Sequence, residues 1–414
     1  MGKDVERSLI VFDVEGVIIP KARFLLFDVF GKLWVKRFIR AALYGFLYWI
    51  GLVSLKRASE KIFLLLKGFP RERLITLFHE VPLMPSVESV FNELRAKGKK
   101  LALISSGIPI DGLNALAKRL GADYVSGVEI GVEDGFLTGK IWGDVLEPGG
   151  KALALKKLVG ESELHRGCAV VADDRNNLPL FKICDLKIGF NPDFSLRCRA
   201  DFVVEGELTE ILQILEGNHQ MGRGNITRNL LIREAIHMGG LLVPIFCILY
   251  FPPLIMASLI FSVTMLYIVS ETLRMLGRNV PLFEFVTRTA AGKGEYHEFV
   301  TAPIFYAFGI IFALMLFPQP TGYVAIAVLT LGDGLASLAG RWLGERKISF
   351  NKNKSIEGSL AFIISAFGGA LLFTDPIRAM MASAVGTIVE ILPLPVNDNL
   401  AIPMFTGLTL MAFF

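Results

Sequence analysis

Charge is spread so unevenly along this chain that a single soluble fold is excluded. Residues 1–220 carry charged side chains throughout, whereas residues 235–414 contain long runs with none. A helix of ~20 apolar residues is enough to cross a bilayer. With 53% hydrophobic residues and a mean hydropathy of +0.53, the chain separates into a soluble first half and a membrane-embedded second half. Its 414 residues leave room for two or three domains. The formal net charge of +4 gives no reason to expect a nucleic-acid partner.

In the first half, SLIVFDV, KLALISS, CAVVADD and DLKIGF read as buried parallel strands, each ending in a polar cluster. NELRAKGKK, GLNALAKRLGA and GGKALALKKLVG read as helices with basic last turns. This alternation predicts an α/β doubly wound parallel sheet, with function at the carboxyl ends of its strands. Residues 21–80 interrupt the pattern with helix-forming sequence, expected to form an inserted helical cap. Within it, AALYGFLYWIGLVSL has 15 residues, short of the ~20 needed to span a bilayer. It fits a cap over the site, or an interfacial helix with Trp34 and Trp49 at headgroup level. The Gly/Asn-rich segment 217–229 reads as a linker between domains at 1–216 and 230–414. Cys168, Cys184, Cys198 and Cys247 lack metal-ligand spacing and are expected as free thiols. The first residues form no signal peptide, which places the first half on the cytoplasmic side.

FDVEGV puts Asp13 at the end of the first strand. A carboxylate there can attack phosphorus, and Glu15, two residues on, points the same way and can protonate a leaving group. LALISSG offers the strand-end hydroxyl of Ser105, and Lys151 opens a helix where its charge can face the nucleophile. VVADDRNNLP places Asp173, Asp174 and Asn177 at the end of a later strand, where a metal would sit. Together these motifs, over residues 8–205, resemble the haloacid dehalogenase superfamily and its phosphoserine-phosphatase-like branch. The resemblance implies Asp13 as nucleophile, Glu15 as general acid, Ser105 as phosphate ligand and Lys151 as charge stabiliser. It also implies Mg²⁺ held among Asp13, Glu15, Asp173 and Asn177. Three departures stand out: Glu15 replaces a commoner Asp, Asp174 occupies a glycine position of the family pattern, and Asn177 stands at its second acid.

The second half holds seven apolar segments, near 234–251, 254–272, 299–317, 321–340, 358–373, 377–392 and 400–414. If the first begins in the cytoplasm, the inside loops carry Arg274, Arg278, Arg288, Lys293, Arg341, Arg346, Lys347, Lys352 and Lys354, and the outside loops carry no cation. That asymmetry predicts a cytoplasmic N-terminal domain on a multi-pass protein of the cell membrane. Charges that enter hydrocarbon are costly and mark candidate sites: Arg233, Glu234, His237, Glu271, Asp333, Glu390 and Asp398 all fall near the cytoplasmic face of this topology.

GDGLASLAGRWLG, NKSIEGSLA and VEILPLPVNDNLAIP resemble the dolichol kinase and phytol kinase family over residues 228–414, with departures at Gly334 and Asn353. The resemblance implies a CTP-dependent kinase of an isoprenoid alcohol. Its nucleotide site would comprise Lys354, Ser355, Glu357 and Gly358, with Arg341 and Lys347 nearby. Asp333, Glu390 and Asp398 would hold Mg²⁺ or deprotonate the lipid hydroxyl. Lys354 supplies a counter-charge for phosphate, and Gly358 would let backbone amides approach its oxygens. Two other activities compete: a phosphoserine-type phosphomonoesterase as the main function, and cytidylyl transfer onto a lipid phosphate.

Overall fold

The computed structural model describes residues 8–21, 35–49, 52–164, 166–204, 206–217, 228–278, 280–290, 299–348, 351–394 and 396–413. They fall into two compact units that divide near residue 219.

In the first unit, β1 (Leu9–Asp13), β2 (Lys100–Pro109), β3 (Tyr124–Glu133), β4 (Phe136–Trp142), β5 (Cys168–Ala172), β6 (Leu186–Phe190) and β7 (Phe202–Val204) form one sheet. Their order is β4-β3-β2-β1-β5-β6-β7. Neighbours run parallel except β3 and β4, which are antiparallel. Period-two alternation on β1 sends Ile10 and Phe12 to one core layer, with Phe63 and Phe91, and Leu9 and Val11 to the other, with Ile104, Leu155 and Val170. A strand buried on both faces reads as a continuous apolar run, which is why β1, β2, β5 and β6 were visible in the sequence. The strands β3, β4 and β7 were not. Gly127, Gly131 and Gly139 interrupt the β3–β4 hairpin, and β7 has only three residues.

Helices α1 (Val35–Trp49), α2 (Leu55–Leu64) and α3 (Arg71–Glu80) follow β1 and form the expected cap. Trp34 lies outside the described residues. Helices α4 (Val87–Ala96), α5 (Ile110–Leu120) and α6 (Gly150–Val159) flank the sheet, with short turns α7 (Glu161–Leu164), α8 (Leu178–Phe181), α9 (Phe194–Arg197) and α10 (Glu210–Leu215). The expectation of free thiols fails for one pair: Cys168 and Cys184 form a disulfide, with Cα atoms 4.8 Å apart. The cause is strand pairing. Asp185 N donates to Cys168 O, and Cys168 N donates to Asp185 Oδ2, so the turn before β6 is held beside the start of β5. Cys198 and Cys247 are free.

The second unit is helical: α11 (Arg228–Gly239), α12 (Leu242–Leu249), α13 (Pro253–Met275), α14 (Pro281–Ala290), α15 (Ala302–Leu316), α16 (Thr321–Ala327), α17 (Gly334–Trp342), α18 (Ile356–Ala370), α19 (Pro376–Ile391) and α20 (Asp398–Phe413). A π-helical turn, Val328–Asp333, makes α16 and α17 one continuous rod. Counting α11–α12 and α16–α17 as single segments, the seven apolar segments are all helical, and α14 is an additional short helix. Among the described residues, three spans, Leu230–Leu249, Pro253–Met275 and Thr321–Trp342, are long and apolar enough to cross a membrane, and the last is the most buried. Its Val328 and Leu329 pack with Phe362, Ala366 and Ala382, small residues at many contacts allowing close helix approach. Meanwhile α13 leaves Leu254, Leu259, Phe261 and Leu266 exposed, a surface suited to lipid. The loop expected between the fourth and fifth segments is instead a hairpin of β8 (Lys347–Ile348) and β9 (Asn351–Ser355), with Lys347 opposite Ser355.

Candidate active sites

In the first unit, parallel register brings the carboxyl ends of β1, β2 and β5 side by side: Asp13 pairs with Ile104, and Phe12 with Val171. Asp13, Ser105 and Asp173 therefore share one rim, and all three are buried. Lys151 Nζ, in the first turn of α6, donates to Asp13 Oδ2 at 2.9 Å and to Asn177 Oδ1 at 2.8 Å. Asn177 Nδ2 donates to the same Asp13 oxygen, and Val14 N donates to Asp13 Oδ1 at 2.8 Å. Ser105 Oγ accepts from Gly107 N and Ile108 N, both at 3.1 Å, which fixes its rotamer toward the rim. Burial, and then the Asp13 carboxylate, push Glu15 up to about 7, so its carboxyl keeps a proton near neutral pH.

Asp13, Asp173 and Asp174 present ligand oxygens within 4.8 Å of one another. Asp174 thus joins the acidic group although it stands at a glycine of the family pattern, and Glu15 lies outside this triple. The Asn177 carboxamide is engaged by Lys151 and Asp13. Asp173 Oδ1 is buried without a hydrogen-bond partner. Burial pushes its carboxyl well above the usual range, against the pull of Lys21. An orphaned carboxylate oxygen beside two further acids is a donor set suited to a hard divalent cation. Gly16, with φ +85°, is required here, because a Cβ would lie 2.3 Å from Asp173 Oδ2.

Lys21 was not singled out from sequence, because it lies past the strand end at the start of the cap. Its Nζ approaches Asp173 Oδ2 at 2.5 Å and Asp174 Oδ2 at 3.8 Å. The cap also touches the β5 loop: Tyr48 Oη donates to Asn176 Oδ1 at 2.6 Å, and the Arg175 guanidinium stacks 5.1 Å from the Tyr48 ring. A cavity of about 400 Å³ opens beside Lys151, with Ser54, Lys56, Ser106, Arg175 and Asn176 on its walls. Glu147 also lines it and pairs with Lys56 at 2.5 Å, so its walls carry both signs of charge.

In the second unit, Lys354 Nζ lies 2.8 Å from Glu390 Oε1 and 3.2 Å from Asp398 Oδ2. Ser359 Oγ donates to Glu390 Oε2 at 3.4 Å. Burial alone would lower the Lys354 ammonium, but Asp398, Glu390 and Asp333 hold it above its ordinary value. Asp333, at the end of the π turn, lies 3.5 Å from His237 Nε2. Residues from α11, the π turn, β9, α19 and α20 therefore meet in one polar cluster.

The other expected nucleotide ligands build the loop. Ser355 Oγ caps α18 by accepting from Gly358 N at 3.1 Å, and Glu357 accepts from Arg346 N at 3.3 Å to close the hairpin. Gly358 packs against α17, where a Cβ would come within 3.2 Å of Gly340 Cα. Arg341 and Lys347 are exposed, and neither pairs with the carboxylates around Lys354. Glu271, expected as a candidate charge, is buried elsewhere, taken by Arg274, Thr287 Oγ1 and Val300 N.

An aspartate at the end of β1, a hydroxyl on β2, a lysine from α6 and acids after β5 thus meet at the carboxyl rim of an α/β sheet. Residues 8–185 match the family model described as haloacid dehalogenase-like hydrolase, and this half of the chain is a haloacid dehalogenase-like domain. It is 28% identical over 168 residues to phosphoserine phosphatase of Streptococcus thermophilus, covering 40% of this chain and 78% of that protein. A solved phosphoserine phosphatase carrying a phospho-aspartyl intermediate analogue aligns over 50% of this chain and 99% of its own, at 25% identity and a TM-score of 0.44. The C-terminal region is homologous to phytol kinases. It is 33% identical over 147 residues to phytol kinase 1, chloroplastic, of Arabidopsis thaliana, covering 31% of this chain and 47% of that protein. The chain spans about half the length of the phytol kinases it matches.

Proposed function

We propose that the C-terminal unit is a CTP-dependent kinase of an isoprenoid alcohol of polyprenol, dolichol or geranylgeraniol type, and that the N-terminal unit is a phosphomonoesterase acting on a related phosphate. The protein is multi-pass in the cell membrane with the N-terminal unit cytoplasmic, a reading supported by the nine cations confined to the expected inside loops.

The observation that carries the kinase reading is the polar cluster around Lys354. An ammonium surrounded by Glu390, Asp398 and Asp333 supplies both signs of charge that a metal–nucleotide needs: the lysine for phosphate oxygens, the carboxylates for the nucleotide's Mg²⁺. Phytol kinase similarity supports an isoprenoid alcohol as acceptor. Protein in lipid micelles with Mg²⁺, γ-labelled CTP and a panel of isoprenoid alcohols should place label on the lipid and release CDP. Pyrophosphate in place of CDP would mean cytidylyl transfer, and absence of transfer from CTP or ATP would overturn the kinase reading.

In the N-terminal unit Asp13 attacks phosphorus while Lys151 offsets its charge, Ser105 holds a phosphoryl oxygen and Glu15 delivers the proton to the departing oxygen. Asp13, Asp173 and Asp174 would hold Mg²⁺, which neutralises phosphoryl charge when bound. Similarity to phosphoserine phosphatase over 168 residues favours a second reading in which a small ester of phosphoserine type is the main substrate. Comparing hydrolysis of phosphoserine with that of prenyl phosphates in micelles separates the two.

A further inference from the structure

We propose that the outer face of the cap, on α1 and α2, docks on an anionic lipid surface and holds the site of the N-terminal unit at the membrane. The docking stands by itself; only its consequence for substrate choice rests on the phosphatase reading above.

Helix α1 is apolar on two sides, and the core uses one of them. Ala41 is buried and Phe38 packs against the layer that contains Phe63 and Leu66. Turned away from these, Ile39 and Leu43 lie one helical turn apart and are 60% and 52% exposed, and Leu52, just beyond the helix, is 73% exposed. Helix α2 repeats the pattern. Its Ala58, Ser59 and Phe63 are buried, while Arg57, Lys61 and Leu64 follow one another at helical spacing on the open side. Large apolar side chains left bare on neighbouring elements mark a contact surface.

Charge decides what the surface contacts. Residues 35–67 carry seven Lys and Arg and a single acid, Glu60, a larger positive excess than the +4 of the whole chain. Arg40, Arg57, Lys61 and Lys67 are exposed, and none pairs with an acid among the described residues. Apolar residues bordered by cations suit a helix lying in a headgroup layer, its apolar face ~5–10 Å deep. Each cation near an anionic leaflet strengthens such binding by about fivefold, so several together hold where one would not. Lipid is also close along the chain. A dozen residues join Leu215, at the end of α10, to Arg228, at the start of α11, and a span long and apolar enough to cross a membrane begins at Leu230. So short a tether raises the local concentration of lipid around the cap.

The same helix reaches the catalytic rim. Tyr48 Oη donates to Asn176 Oδ1 and its ring stacks with Arg175, which joins α1 to the loop bearing Asp173 and Asp174. A phosphomonoester anchored in the bilayer by a hydrocarbon chain would meet the docked site without leaving the lipid, whereas a soluble ester would gain nothing from docking.

The test uses the full chain in vesicles, with a nitroxide at Leu43→Cys in a Cys198→Ser background. A control label goes at Ser162→Cys, on the exposed turn α7 that precedes the start of β5. In vesicles of phosphatidylcholine with phosphatidylglycerol, the label at 43 should become open to dissolved oxygen and closed to a water-soluble nickel chelate. The label at 162 should stay open to the chelate. Phosphatidylcholine alone, or Arg40→Glu with Arg57→Glu and Lys61→Glu, should weaken docking by ~10²-fold and return the label at 43 to water. The lipid comparison changes no charge on the protein, so it decides the matter even where the triple variant misfolds. A label at 43 that meets the chelate in both lipids would overturn the proposal. So would one closed to both probes, which means a protein partner, or one inserted equally in both lipids. In the anionic vesicles the folded triple variant should hydrolyse a prenyl phosphate at least about tenfold more slowly, with p-nitrophenyl phosphate hydrolysis unchanged. Hydrolysis of neither ester by the wild type would remove the phosphatase reading and leave the docking to be judged by the spin labels.

Discussion

Asp13 holds three partners at once: the Val14 amide, the Lys151 ammonium and the Asn177 carboxamide. Such a carboxylate is oriented before substrate arrives. Glu15 is the opposite case, kept protonated by burial up to about 7. Hydrolysis of esters with poor leaving groups should therefore slow as pH rises through about 7, and Glu15→Gln should flatten that limb at a low rate. The stability consequence has a definite sign. A raised folded-state pKa means the folded chain holds a proton that the unfolded chain has released, so this contribution is full below pH 4.5 and is lost as pH climbs to about 7. Chelator-treated protein should lose unfolding free energy across that window, and Glu15→Gln should lose less. Asp174→Asn should weaken Mg²⁺ by at least about 10-fold, read by calorimetry; unchanged affinity would remove Asp174 from the metal set. Asp13, Ser105, Lys151 and Asp173 were legible because each stands at the end of an apolar run or the opening of a helix beside one. Asp174 was placed by the residues at the strand end where a metal would sit, although the family pattern left it out of the ligand set, and Lys21 was not legible because it approaches from the cap.

The helical elements of the second unit owe their visibility to composition, but their contacts depend on residues without side chains. At Gly358, α18 meets α17 so closely that a Cβ would lie 3.1 Å from Ser355 Oγ and 3.2 Å from Ala336 O. Gly358→Val should push the helices apart and destabilise the unit by about 1–3 kcal/mol, seen as a lower melting temperature in micelles. An unchanged melting temperature would contradict the packing described. The 346–358 segment illustrates what a motif hides. Its serine caps a helix, its glutamate closes a hairpin and its glycine admits a neighbour, and together these present Lys354 to Glu390 and Asp398. Polar residues in a short basic loop do not reveal which of them will face the ligand, because backbone amides compete for the same oxygens.

Across the whole molecule the two units have separate cores and separate polar clusters. Asp13→Asn should abolish phosphatase activity by at least about 10³-fold and leave label transfer to lipid unchanged. Lys354→Ala should do the reverse, and cross-effects in either direction would mean that the two activities share an intermediate or a site. The division into an α/β half and a membrane half followed from the sequence alone, since runs without charge cannot be covered by a soluble core and strands buried on both faces are apolar throughout. Strand order, the β3–β4 hairpin, the Cys168–Cys184 disulfide and the meeting of His237, Asp333 and Asn399 were decided only by tertiary structure. These features depend on which residues distant in sequence become neighbours, and a side chain's hydrogen-bond partners do not exist until the backbone has placed them.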